Sequence, residues 1–112
     1  MNIFMSVDME GVAGIVDWTQ VMSDKKDYGI GRELMTGEAN AAVEGALDAG
    51  AKGIVVGDSH GSMINLLQEK MRPEARLVQG RCKPLSMMQG IFSMALIPFC
   101  SRPAHLAPVR DG

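Results

Sequence analysis

The sequence is poor in cysteine, in aromatic residues and in any excess of one charge. Its two cysteines, Cys82 and Cys100, lie outside any CxxC spacing, which argues against a disulfide framework or a zinc knuckle. Free thiols of this kind favour a reducing compartment, so we expect a cytoplasmic protein. Lys and Arg number 11 and Asp and Glu 13, for a net charge of -2. This balance predicts neither nucleic acid nor a membrane surface as a partner.

The start of the chain also lacks a long apolar run. Its first apolar stretch is only about five residues long and follows no basic segment, which indicates a strand rather than a signal peptide or a membrane span. One Trp and one Tyr stand against ten Met. We expect the flexible methionine side chains to fill irregular core space.

Short apolar runs alternate with helical patterns along a chain long enough for one domain. The pattern predicts strands at residues 2–7, 52–57 and 76–79, helices at residues 31–49 and 63–71, and a helical turn at residues 84–90. No hairpin signal joins the strands, so we predict an α/β fold, a βαβαβ unit with a parallel sheet and three layers. Residues 94–99 are the remaining segment able to extend this sheet.

Residue types that bind metals follow two of the predicted strands. Asp8 and Glu10 come directly after the first strand, and the segment Asp58-Ser59-His60 comes after the second. The carboxyl ends of neighbouring parallel strands open onto one crevice. Two carboxylates this close repel each other unless a cation lies between them, and carboxylate and imidazole are standard zinc ligands. The sequence therefore predicts Asp8, Glu10 and His60 as ligands of a divalent metal.

Simpler interpretations exist for each of these residues. Asp8 and Glu10 could be a solvated strand end, and His60 could be a structural histidine bonded to a backbone carbonyl. For Asp58 we expect one of two roles, either orienting the His60 ring or ordering the loop that follows it.

Other polar residues are expected to have supporting roles. Ser62 is placed to cap the predicted helix at residues 63–71. Arg32, Glu38 and Asn40 make the first predicted helix more polar than a plain core helix. They support the site, contact another subunit or form a solvated helix face.

Four segments resemble the DppA-type D-aminopeptidases, peptidase family M55. They are residues 5–14 (MSVDMEGVAG), 31–51 (GRELMTGEANAAVEGALDAGA), 55–66 (VVGDSHGSMINL) and 83–91 (KPLSMMQGI). The resemblance implies a zinc-dependent, two-metal aminopeptidase that acts on peptides with N-terminal D-residues and assembles as a homo-oligomer. It also implies that Asp8 bridges two ions, and that Glu10 and His60 complete the protein ligands of the first ion.

The resemblance ends near Ile91, so we expect an aminopeptidase-like segment at residues 1–91 and a non-matching tail at residues 92–112. The family continues with a histidine ligand of the second metal, a glutamate ligand and a catalytic histidine, so no catalytic residue is assigned. His105 lies near the position of that metal-binding histidine but in different sequence surroundings. The tail can be encoded so that another reading frame resembles the family, which predicts a frameshift product with impaired activity.

Two other functions are weighed against the aminopeptidase. A two-metal nuclease also opens with a DxE motif, but it calls for further aspartates, magnesium and a basic surface. A non-catalytic α/β binding or oligomerisation module would use the loop at residues 58–62 only to begin a helix. The metal content of the purified protein would distinguish these alternatives from the aminopeptidase.

Overall fold

A parallel sheet packed against one long helix forms the described part of the chain. The computed structural model describes residues 1–80 and the backbone of residues 95–99. The strands and helix are β1 (Asn2–Val7), α1 (Tyr28–Asp48), β2 (Gly53–Asp58), β3 (Ala75–Val78) and β4 (Ala95–Phe99). Two single 3-10 turns, Trp18–Gln20 and Gln68–Lys70, lie in the connections.

The strand order is β3-β2-β1-β4, and every pair of neighbours is parallel. This confirms the α/β prediction and the three predicted strands, each within one residue of its expected bounds. The segment that could extend the sheet does form β4, which pairs with β1. Within β1 and β2, Val7 lies opposite Asp58, so the residues that follow the two strands emerge side by side.

The core lies between α1 and one face of the sheet. Apolar side chains on that face of β1 and β2 pack against apolar residues spaced three or four apart along α1. The buried residues of this cluster include Met5, Val7, Ile54, Val56, Met35, Ala39, Val43 and Ala46. The periodicity of α1 therefore predicts its buried face correctly, while the third layer of the predicted fold stays a prediction.

Two glycines determine where α1 ends and how closely a neighbouring segment packs against it. Gly50 has a φ of 96°, in the left-handed region that glycine adopts without strain, and it follows the last turn of the helix. A Cβ on Gly31 would lie 1.9 Å from the carbonyl oxygen of Gln20. Only glycine lets α1 approach the segment at residues 15–21 this closely, so Gly31 positions that segment against the helix.

The prediction of a helix at residues 63–71 is wrong. Among the described residues this connection contains only the 3-10 turn Gln68–Lys70. Apart from the bonds of that turn, several of its backbone groups bond to side chains of α1: Leu67 N–H donates to the Thr36 hydroxyl, and the Lys70 carbonyl accepts from the Asn40 amide. The partners lie on α1, so this tertiary contact is the physical reason that the local helical pattern fails.

Several expectations fall outside the described residues, namely the helical turn at 84–90, both cysteines and His105. Among the described residues, no helix has the length and apolar character needed to cross a membrane.

Candidate metal centre

The three predicted ligands meet at the carboxyl edge of the sheet. His60 Nδ1 lies 2.9 Å from Asp8 Oδ1 and 3.2 Å from Glu10 Oε1. One ligand atom from each residue falls within 4.8 Å of the others. The side chains are largely withdrawn from solvent, with 20% of Asp8 and 14% each of Glu10 and His60 exposed. The parallel register of β1 and β2 produces this convergence, as the sequence predicts.

The second nitrogen of His60 fixes the orientation of the ring. Nε2 lies 2.7 Å from the carbonyl oxygen of Val21. A carbonyl can only accept a hydrogen bond, so Nε2 carries the proton. In the neutral ring, Nδ1 would then present its lone pair to the two carboxylates, which is the tautomer required of a metal ligand.

In the absence of metal, a proton on His60 compensates the negative charges of the two carboxylates. Burial disfavours a charged His60 ring, but its hydrogen bonds to Asp8, Glu10 and the Val21 carbonyl outweigh burial and raise the pKa of His60 to about 10. Burial likewise disfavours ionised Glu10, yet the hydrogen bond from His60 holds the pKa of Glu10 down at about 2. The proton on Nδ1 thus serves as the cation that the two carboxylates require.

A divalent ion fits the same space and the same donors. It would replace the Nδ1 proton and accept electron pairs from two carboxylate oxygens and one imidazole nitrogen, a donor set that suits zinc. Among the described residues this metal-ligand group contains one histidine, one glutamate and a single aspartate. Such a composition favours zinc over magnesium, and it disfavours the nuclease alternative.

The sequence left two roles open for Asp58, orienting the His60 ring or ordering the loop that follows it. The structure shows the second role. Its side chain is fully buried and accepts hydrogen bonds from the backbone N–H groups of Asn65 and Leu66. It also accepts from the side-chain amides of Asn65 and Gln79. Asn65 donates in turn to the carbonyl of His60. Asp58 therefore orders the loop that carries His60, while the ring nitrogens bond to Asp8, Glu10 and Val21.

The capping role predicted for Ser62 is wrong, because the helix that it was to cap does not form. Met63 has a φ of 64°, and this left-handed residue turns the chain away from a helical path directly after the loop.

A stripe of polar side chains on α1 holds the same connection. Arg32 Nε donates to the carbonyl of Asn65 over 2.8 Å, and Thr36 and Asn40, one and two turns further on, bond to the backbone of Leu67, Lys70 and Arg72. This stripe supports the site from behind, which is one of the roles expected for Arg32 and Asn40. Glu38, for which the same roles were left open, contacts a different loop, since its carboxylate accepts from Ala13 N–H.

Sequence reasoning missed Tyr28, Thr36, Asn65 and the carbonyl of Val21. The Tyr28 hydroxyl donates to the Asn65 side chain, one turn before Arg32 on the same face of α1. The four-residue spacing of Tyr28, Arg32, Thr36 and Asn40 was a usable signal. No sequence signal marks a backbone carbonyl such as that of Val21.

An all-parallel sheet that gathers two carboxylates and an imidazole at its carboxyl edge is typical of α/β metallohydrolases. The model of the peptidase M55 family, described as D-aminopeptidase, matches residues 1–100. The chain therefore belongs to the D-aminopeptidase family. This confirms the family resemblance drawn from the four sequence segments, while the domain boundary at residue 91 stays a prediction.

Two relatives show how far the similarity extends. The chain is 47% identical over 91 residues to a D-aminopeptidase of Bacillus subtilis (strain 168), covering 81% of this chain and 33% of the relative. Its structure is similar to that of the Zn-dependent D-aminopeptidase DppA from Bacillus subtilis, described as a self-compartmentalizing protease. The TM-score is 0.86 at 42% sequence identity, covering 88% of this chain and 37% of that one. The chain thus spans about a third of the length of the relatives that it matches.

Proposed function

We propose that Asp8, Glu10 and His60 bind a zinc ion and that this chain contributes that half-site to a D-aminopeptidase. The substrate would be a peptide with an N-terminal D-residue. The supporting observation is the convergence of the three ligand atoms within 4.8 Å, with the His60 ring held by the Val21 carbonyl. The zinc dependence of the similar Bacillus subtilis structure supports the choice of metal.

Each residue has a defined task in this proposal. His60 supplies Nδ1 because its Nε2 proton is committed to Val21. Glu10, whose pKa is held at about 2, supplies a carboxylate that stays ionised at neutral pH. Asp8 has two oxygens and is the residue able to bridge a second ion, as the family resemblance implies. Zinc bound here would polarise a peptide carbonyl and lower the pKa of a bound water.

Assembly into a homo-oligomer is part of the same proposal. The support is the self-compartmentalizing character of the similar structure. A complete two-metal site needs ligands beyond Asp8, Glu10 and His60, so we expect the 112-residue chain alone to bind one zinc ion and to hydrolyse peptides poorly.

Zinc stoichiometry and affinity, measured by calorimetry and metal analysis on the purified chain, test the half-site. We expect one zinc ion per chain, and loss of at least a hundredfold in affinity on His60→Ala. His105→Ala is the matched control, because it removes the other histidine and should leave this zinc bound. A chain without bound zinc, or equal losses in both variants, would contradict the proposal and leave the non-catalytic module standing.

A further inference from the structure

Two serine hydroxyls meet next to the ligand cluster without being members of it. Ser6 Oγ on β1 lies 2.6 Å from the Oγ of Ser59, the residue that directly follows β2. Ser6 is 4% exposed, so its hydroxyl has little access to water. A buried hydroxyl needs a hydrogen-bond partner, and each of these two supplies one to the other.

The strand register explains how the two hydroxyls reach each other. Side chains alternate between the faces of a strand, and Met5 and Val7 pack toward α1, so Ser6 lies on the opposite face of the sheet. Its register partner on β2 is Gly57, which has no side chain. The Ser59 N–H continues the ladder by donating to the Val7 carbonyl at 2.8 Å. The Ser59 side chain therefore lies on the same face as Ser6 and reaches it across Gly57.

Glycine at position 57 keeps the space for this bond open. A Cβ on Gly57 would lie 3.0 Å from Cζ of Phe4, whose ring is fully buried. Ser59 Oγ instead comes within 3.4 Å of the Gly57 carbonyl oxygen while it contacts Ser6. The sequence thus places a residue without a side chain where the hydroxyl pair forms.

The pair joins the two chain segments that carry zinc ligands. Ser59 immediately precedes His60, and Ser6 lies two residues before Asp8. Asp8 Oδ1 lies 2.9 Å from His60 Nδ1. Zinc bonds to oxygen and nitrogen are about 2.0 to 2.2 Å long, so an ion accepts these two ligands only within a narrow range of separations. A bond this close to both ligands limits how far the two segments can move apart.

The other contacts that support His60 act on different parts of the site. The Val21 carbonyl orients the ring, and Asp58 orders the loop that follows. Neither of these two contacts includes a residue of β1. The bond between Ser6 and Ser59 does include one, so it acts on the spacing between the two ligand-bearing segments.

We infer that Ser6 and Ser59 are positioning residues whose hydroxyl bond sets the separation of Asp8 and His60 for zinc. The inference rests on the proposed function, which makes those two residues ligands of one ion. It adds two hydroxyls that hold the ligands at the spacing of the bound state before the ion arrives. Loss of the bond should therefore weaken metal binding more than the accompanying loss of stability explains.

A double-mutant cycle on zinc affinity, measured by calorimetry, tests the pair. Ser6→Ala and Ser59→Ala break the same bond, so each should weaken zinc binding about tenfold, as is typical when a group that orients a metal ligand is removed. The double variant should lose little more than either single variant, because the bond can be lost only once. Ser59 is only partly buried, so Ser59→Thr has room for its methyl group, keeps the hydroxyl and should retain most of the affinity.

Two controls and a second readout separate positioning from a general loss of stability. Val43→Ala shortens a fully buried side chain on α1 and should lower stability without changing the zinc affinity of the folded chain. Ser62→Ala removes a hydroxyl from the loop that carries His60 and should change neither quantity. The visible absorption of bound Co²⁺ depends on coordination geometry, so it should change in Ser6→Ala and Ser59→Ala but not in Val43→Ala.

Unchanged zinc affinity in both alanine variants would overturn the inference, and so would losses that add up in the double variant. An equal loss in Val43→Ala would also overturn it, since reduced stability would then explain the effect. The unaltered chain distinguishes this failure from a failure of the proposed function. If that chain binds zinc and the serine variants bind it equally well, only the positioning role is wrong. If it binds no zinc, the proposed function and the positioning role are wrong together.

Discussion

Asp8 and Asp58 stand at the ends of neighbouring parallel strands but lie in opposite surroundings. Asp58 is fully buried and, within the described part of the chain, accepts hydrogen bonds from two backbone N–H groups and two side-chain amides. Asp8 is 20% exposed, accepts from Met9 N–H, and lies with Glu10 beside the same His60 nitrogen. The two aspartates thus differ in the donors that surround them, although β1 and β2 deliver them to the same edge.

This difference explains why one carboxylate is structural and the other is a proposed ligand. Among the described residues, the donors around Asp58 are neutral amides of the loop and of Gln79, so fixed dipoles stabilise its charge. The charge of Asp8 is balanced by a proton on His60, which a metal ion can replace. Burial alone would have favoured Asp58 as the functional residue, whereas the exchangeable partner favours Asp8.

The largest predicted effect is on stability. Asp58→Asn replaces an oxygen acceptor with an amide that cannot accept, so buried N–H donors lose their partner. We expect the free energy of unfolding to fall by about 3 kcal/mol, measured by urea unfolding of the metal-free chain. Asp8→Asn weakens the hydrogen bond to the charged His60 ring but leaves the Glu10 carboxylate beside it, so the loss should be smaller, about 1 to 2 kcal/mol.

For zinc affinity, we expect the opposite order: Asp8→Asn should have the larger effect and Asp58→Asn the smaller one. Asp8→Asn removes a ligand and should abolish stoichiometric binding, whereas Asp58→Asn should weaken binding about tenfold through the disturbed loop. If both variants lose stability and zinc to the same extent, the distinction between a structural and a ligating aspartate is wrong.

The sequence predicted the elements that depend on local pattern and missed those that depend on partners distant along the chain. Short apolar runs and helical spacing located the three strands and the buried face of α1, and the parallel arrangement brought Asp8, Glu10 and His60 together. The helix predicted at residues 63–71 failed because Thr36 and Asn40, some 30 residues away, bond to its backbone.

The candidate site shows the same limit. The types and spacing of its three charged residues were visible in the sequence, whereas the group that fixes the His60 tautomer was not. That group is a main-chain carbonyl at Val21, which every residue type possesses. A long connection placed against α1 by Gly31 determines its position, and no local pattern encodes that contact.

A second prediction concerns the proton on His60. Because the pKa of His60 is raised to about 10, the ring is charged at neutral pH in the metal-free chain and must release its proton before Nδ1 can bind zinc. Zinc affinity should therefore rise about tenfold per pH unit between roughly pH 6 and 8, with about one proton released per ion. Glu10 adds nothing to this dependence, since its pKa of about 2 leaves it ionised throughout.

Calorimetry in two buffers of different ionisation enthalpy measures the proton release directly. Affinity that does not change with pH, with no proton released, would mean that His60 is already neutral. A replaceable proton on His60 could then no longer explain why Asp8 is a metal ligand and Asp58 is structural.

The smallest predicted effect tests whether the loop network and the zinc ligands act independently. Tyr28→Phe removes the hydroxyl that donates to Asn65, the residue linking Asp58 to the carbonyl of His60. We expect a loss of about 1 kcal/mol in unfolding free energy, with zinc affinity unchanged within about twofold, because Val21 still orients the ring. Lys70→Gln, which breaks an exposed ion pair with Glu33, is the control and should change neither quantity measurably. A large loss of zinc affinity on Tyr28→Phe would instead show that the network around Asp58 positions His60 for the metal, and the two aspartates would then belong to one functional unit.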